Sequence, residues 1–163
     1  MRFLVIDGQG GRLGKSLIEE IRKEFPGEEI MAVGTNATAA STMLKAGADE
    51  AATGENPVVV ACRRADVIIG PIGIVIADSL LGEVTPKMAI AVAQSGAVRI
   101  LIPMNRRDNL VAGVGSLSIA ELAADAVRKL KGNSRLPLKE TVLRAFTWQE
   151  RKECTALNKQ RIL

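Results

Sequence analysis

The chain opens with MRFLVIDGQGGRLGKS, Met1 to Ser16, and the reading of this stretch decides the fold. Phe3-Leu4-Val5-Ile6 is an apolar run that ends in Asp7 and a glycine-dense turn, Gly8-Gln9-Gly10-Gly11-Arg12-Leu13-Gly14. Behind it, Leu13, Leu17, Ile18 and Ile21 recur at helical spacing. The order is therefore strand, tight turn, helix N-terminus. Free N–H groups and the positive end of a helix dipole converge at such a turn, which suits it to a phosphate. Glycines let the backbone approach a ligand and take angles that other residues resist. A strict G-x-G-x-x-G would need glycine at position 13, where the chain has Leu13. The spacing that fits is G-x-x-G-x-x-G, through Gly8, Gly11 and Gly14, with Gly10 as an extra.

Asp7 stands directly before this loop. A carboxylate there repels phosphate unless a metal or backbone donors intervene. The preferred reading is a brace that accepts N–H groups of the loop; the other is a carboxylate holding Mg²⁺ against a nucleotide.

Outward from the loop, Pro26-Gly27 breaks the first helix and Glu29 to Thr35 reads as a second strand. In a dinucleotide fold that strand ends in an acid for the adenosine ribose. Here it ends in Gly34-Thr35-Asn36, which leaves room for a 2′-phosphate or signals a different nucleotide. Arg12 is the cation placed to help with such a phosphate. Thr38 to Ala46 predicts a helix closed by Gly47, and Ala48 to Thr53 a short third strand. Asn56-Pro57 has the form of a cap followed by the first helical residue. Cys62, inside that helix, reads as a buried small hydrophobe.

Asp66 to Pro71 predicts a central fourth strand, followed by the turn Gly70-Pro71-Ile72-Gly73. In strand order 3-2-1-4-5 this turn faces the Gly8 loop across the crevice where such sheets bind ligands. Residues 74–84 (IVIADSLLGEV) are apolar without a clear period, and are read as a helix packed on a partner subunit. Thr85-Pro86 starts the next helix, Lys87 to Ala93. Val98 to Pro103 gives a fifth strand leading to Asn105, Leu110 to Val114 a short sixth, and Ser116 or Ser118 caps a last helix to Lys131. Strands alternating with helices at this rhythm predict an α/β fold: a Rossmann-like, doubly wound, mostly parallel sheet with helices on both faces.

Composition narrows the chemistry. The 163-residue chain is 47% hydrophobic yet only 2% aromatic, so its core is built from aliphatic residues, as a buried parallel sheet requires. That apolar content predicts an exposed apolar face and a homo-oligomer. The chain has no His and no Tyr. Imidazole metal sites, His acid–base chemistry and the Tyr/Lys pair of short-chain dehydrogenases are thereby excluded, and no metal site is expected. Cys62 and Cys154 lie far apart without CxxC spacing, which fits a reducing cytoplasm. Arg2 followed at once by a strand predicts no leader, and the most apolar segment, Val67 to Ala77, is too short to span a bilayer.

The charge is uneven. Residues 133–163 carry seven Lys/Arg against three Glu, which accounts for the whole formal charge of +4. Residues 1–132 are neutral and predict a single domain; 133–163, with Phe146 and Trp148, predict a basic, partly helical tail. Nucleic acid is not an expected partner except through that tail.

The blocks IDGQGG (6–11), GTN (34–36), MLKAGAD (43–49), ATGEN (52–56), IIGPIGI (68–74), GEVTPKMA (82–89) and ILIPMN (100–105) together resemble an uncharacterised family of short bacterial Rossmann-like proteins. The resemblance covers residues 1–131, implies one α/β domain and brings no reaction with it; the tail lies outside it. The GQGGRLG loop by itself is similar to the dinucleotide loop of dihydrodipicolinate reductases, whose catalytic half, with its histidines and lysine, has no counterpart here.

Two functions follow. In the first, the chain is a nucleotide- or dinucleotide-binding module. The ligand lies between the Gly8–Gly14 loop and the Gly70–Gly73 turn, with Thr35 and Asn36 on the adenosine side and Gly73 and Asn105 on the far side. In the second it is a small NAD(P)-dependent reductase completed by an oligomer interface. Hydride transfer asks little of the protein beyond placement, but a proton donor is needed, and Lys87 and Asp78 are the candidates. Enzyme status stays open.

Overall fold

The computed structural model describes residues 1–104, 111–112, 114–133 and 136. Five parallel strands form one sheet in the order β3-β2-β1-β4-β5: β1 (Arg2–Asp7), β2 (Glu29–Gly34), β3 (Glu50–Thr53), β4 (Val67–Pro71) and β5 (Val98–Ile102). Around them lie α1 (Arg12–Glu24), α2 (Ala37–Lys45), α3 (Glu55–Cys62), a 3₁₀ turn at Ile72–Val75, a single distorted turn α4 (Ser79–Gly82), α5 (Pro86–Gln94) and α6 (Ile119–Lys131). The fold is the α/β, Rossmann-like, doubly wound class that the strand–helix rhythm requires.

β1 is buried on both faces because its side chains alternate between two cores. Phe3 and Val5 join Leu17, Ile18, Ile21, Met43 and Val127 on one side; Leu4 and Ile6 join Val58, Ile74, Met88 and Val92 on the other. Helices α1, α2 and α6 thus cover one face, and α3 and α5 the opposite one. The crossover direction changes between β1 and β4, so their carboxyl ends open a crevice there.

Local chemistry fixes most boundaries. Asn36 caps α2 by accepting the Ala39 N–H (2.9 Å), and Thr85 caps α5 by accepting the Met88 N–H (3.2 Å). Of the two serines offered for α6, Ser118 is the cap, in a reciprocal box with Glu121. α3 differs from its expectation. Gly54, at φ 99°, is the N-cap, and Asn56 lies inside the helix. Glu55, one residue earlier, fixes this start by accepting the Thr85 hydroxyl (2.7 Å) and pairing with Lys87.

Residues 74–84 are also corrected: they are not one continuous helix, only the end of the 3₁₀ turn and the distorted turn α4. Asp78, Leu80 and Leu81 have left-handed φ of 60°, 54° and 66°, and the segment folds back on itself as a flap. Its ends are sunk in the second core through Ile74 and Val84, and its middle covers the crevice rather than extending a helix. Of the expected sixth strand, residues 111, 112 and 114 are not in a strand, and Leu110 and Gly113 lie outside the described residues, as do Asn105 and most of the tail. Among the described residues, no helix is long and apolar enough to cross a membrane.

Candidate functional site: the crevice at the β1–β4 switch point

Asp7 is 6% exposed and braces the loop: its carboxylate accepts the N–H of Gly8 (2.8 Å) and of Gly14 (2.7 Å). The geometry shows why the third glycine is needed. A Cβ on Gly14 would stand 2.3 Å from the Met43 sulfur and 3.0 Å from the Asp7 Cβ, so α1 could not pack this close to α2 and β1. Gly11 caps α1 at φ 69° and its N–H donates to the Gly8 carbonyl (3.0 Å), closing the turn. Gly10 is different: a Cβ there would meet nothing within 4 Å.

These bonds leave a consequential remainder. Among the described residues, the N–H groups of Gly10, Arg12 and Leu13 have no protein acceptor. Two of them belong to the first turn of a 13-residue helix, where such donors are free by construction. All three residues line a cavity of 470 Å³, within the size range of small-molecule sites. Its walls are the Asp7–Leu13 loop, the Pro71-Ile72-Gly73 turn, the flap from Ile76 to Leu81, and Met104 with Ile119 at the far end.

The structure thus brings Gly8, Gln9, Gly10, Gly11, Arg12 and Leu13 together with Pro71, Ile72, Gly73 and Asp78 around one space. Gly14 and Gly70 lie beneath it, in the packing of α1 and of β4 against β1. Lys87 is elsewhere: its ammonium is 3.2 Å from the Glu55 carboxylate, and it does not line this cavity.

Thr35 and Asn36 do not line the cavity either. Both donate to Glu83, a residue that sequence reasoning left unassigned in the flap. The same carboxylate oxygen of Glu83 accepts the Gln9 N–H (3.0 Å) and the Asn36 amide (3.1 Å) besides the Thr35 hydroxyl. Asn36 also donates to the Gln9 carbonyl (3.0 Å). Burial opposes ionisation of Glu83, but the bonds from Thr35, Gln9 and Asn36 outweigh it and hold the carboxyl below its ordinary range. The only sequence signal is an acid in an apolar run that also holds Asp78; its partners are 47 to 74 residues away. Cys62 is buried, which pushes its thiol up to about 11 and leaves it unreactive. Among the described residues, no cluster of acids and cysteines could hold a metal ion.

Fold and crevice together define a Rossmann-like α/β protein with a glycine-loop cavity at its switch point. The chain belongs to the family described as "Domain of unknown function (DUF3842)", whose model matches residues 2–135. Comparison with curated proteins gives no match. Among solved structures, the chain is similar to the dodecameric FMN-dependent Ubix-like decarboxylase from Escherichia coli O157:H7. The identity is 19% and the TM-score 0.44, over 100% of this chain and 96% of that one. The flavin and the decarboxylation belong to that protein.

Proposed function

We propose that this protein binds a nucleotide in the crevice, its phosphate received by the N–H groups of Gly10, Arg12 and Leu13 at the start of α1. The observation that carries the reading is those three donors, without acceptors among the described residues and lining one cavity. Helix dipole and free N–H groups act together on an anion. The Arg12 side chain adds a positive charge, while Asp7 has its oxygens turned to two loop N–H groups. The Pro71–Gly73 turn and the apolar flap side chains supply the wall for a base or other flat group.

The NAD(P)-dependent reductase reading has narrower support. Of its two proton-donor candidates, Asp78 lines the cavity and Lys87 does not. A homo-oligomer remains part of the proposal, now on a different surface. Val60 on α3 and Ile90 on α5, helices that pack side by side, are 43% and 53% exposed. Sedimentation of the purified chain against a Val60→Lys, Ile90→Lys variant tests this.

Thermal unfolding with AMP, FMN, ATP, NAD⁺ and NADPH tests the site. A ligand at a hundredfold its Kd stabilises by about 2.7 kcal/mol. Gly10→Glu is the control variant, because its new side chain starts in open space and puts a carboxylate among the phosphate donors. The expected result is a shift with at least one phosphate ligand that Gly10→Glu abolishes. No shift with any of them, or one that Gly10→Glu leaves intact, overturns the reading.

A further inference from the structure

A dinucleotide lies across the switch point, one nucleotide on each side. The two sides are not equivalent here. On the β4 side the crevice is open and lined by Pro71, Ile72, Gly73 and Met104. On the β2 side, the space beyond Gly34 is held by Glu83, reaching in from the flap to Thr35, Asn36 and the Gln9 N–H.

We infer that Glu83 closes the β2 half of the crevice, so that the site takes a mononucleotide and refuses a dinucleotide. The inference rests on the nucleotide reading above and narrows its ligand class. Two observations carry it. First, one Glu83 oxygen already accepts three bonds from the protein, including the loop N–H of Gln9 beside Gly10. Second, there is no gap between this carboxylate and the loop. A Cβ on Gly8 would stand 2.7 Å from the Glu83 oxygen, 2.6 Å from the Thr35 hydroxyl and 2.9 Å from a Leu80 methyl. An acid that recognises ribose hydroxyls must leave the sugar room between itself and the loop. Glu83 fills that room, and its charge also repels a second phosphate. It is a specificity-determining residue that acts by exclusion.

Binding of AMP, NMN, FMN, NAD⁺, NADP⁺ and FAD to the full chain, by calorimetry, tests this in the wild type, Glu83→Gln and Glu83→Ala. At least one mononucleotide should bind the wild type tenfold or more tighter than NAD⁺, NADP⁺ and FAD. Glu83→Ala should tighten at least one dinucleotide tenfold or more, with the preferred mononucleotide unchanged within about twofold; Glu83→Gln, which keeps the bulk, should give less. Wild-type binding of a dinucleotide as tight as that of the mononucleotides overturns the inference while the nucleotide reading stands. So does a loss of NAD⁺ affinity in Glu83→Ala, the signature of a ribose-binding acid. Binding of a dinucleotide with no mononucleotide also overturns the inference alone; if none of the six binds, both readings fall. Circular dichroism of each variant confirms that it is folded.

Discussion

The glycine loop and the flap face each other across one cavity, and they are held in opposite ways. The loop is anchored from beneath. Asp7 takes two of its N–H groups, Gly14 seats it against Met43, and Gly11 supplies the left-handed cap of α1; Gln9, at φ 51°, is left-handed too. The backbone of the flap is tied mainly to itself, with Asp78 N–H to Val84 O (2.8 Å) and Gly82 N–H to Asp78 O (3.1 Å), while the Ser79 hydroxyl reaches Gly73 O (2.5 Å) and Glu83 reaches Gln9, Thr35 and Asn36. It carries three residues with side chains in left-handed conformations, each unfavourable by about 1–2 kcal/mol. The difference assigns roles. The loop is held in one shape, and the flap is where a change of shape costs least.

The largest expected effect breaks the loop's side of the comparison. Asp7→Ala leaves the Gly8 and Gly14 N–H groups without their acceptor under the helix start. A buried unsatisfied donor costs about 1–3 kcal/mol, so urea denaturation should show a loss of about 3 kcal/mol. A loss under about 1 kcal/mol would mean that the loop stands without its brace. Gly14→Ala comes next. Overpacking costs about 1–3 kcal/mol, and here the added methyl meets a fully buried Met43. Gly10→Ala, four residues earlier in open space, should stay within about 0.5 kcal/mol of wild type. Equal costs at the two positions would erase the distinction between packed glycines and those that face the cavity.

A smaller effect of opposite sign probes the flap. Leu81 is 68% exposed at φ 66°, so Leu81→Gly relieves strain and gives up little burial. Stability should rise by about 1 kcal/mol. A fall of that size would show that the flap conformation is held by contacts of Leu81 and is not strained.

How much of this was legible follows the range of the interactions. The β1 run, the loop and the capping residue Thr85 rest on patterns a few residues long, and a sequence displays those directly; the strand order enters only as a condition, through the doubly wound class. The start of α3 was not legible, because Glu55 is fixed by Thr85 and Lys87 from a different helix, which moves the cap from Asn56 to Gly54. The flap hid for a second reason. IVIADSLLGEV has neither period 2 nor period 3.6, and a leucine does not announce a left-handed backbone, so Leu80 and Leu81 give no sign of theirs. Glu83 combined both problems. The sequence after β2 lacks an acid, and the acid that fills its place comes from 47 residues downstream of Asn36.

The smallest expected effect is a titration, and it tests whether the flap is fastened to the loop at all. Desolvation favours the protonated Glu83, while Thr35, Gln9 and Asn36 favour the carboxylate and prevail, so its folded value lies below the ordinary 4.5. A lowered value means that the stabilisation from this contact is complete above the unfolded value. It is lost as pH falls through the folded one. A carbon-detected NMR titration of the Glu83 carboxyl should therefore have a midpoint below 4.5. Thr35→Val, which removes the first of the three donors, should move it up. Asn36→Ala is a poorer choice because Asn36 also caps α2 through the Ala39 N–H. Chemical shifts of the Gln9 amide should change over the same pH interval, since that N–H loses its charged acceptor. A Glu83 midpoint at 4.5 or above, with Gln9 silent, would detach the flap from the loop and leave the β2 half of the crevice open.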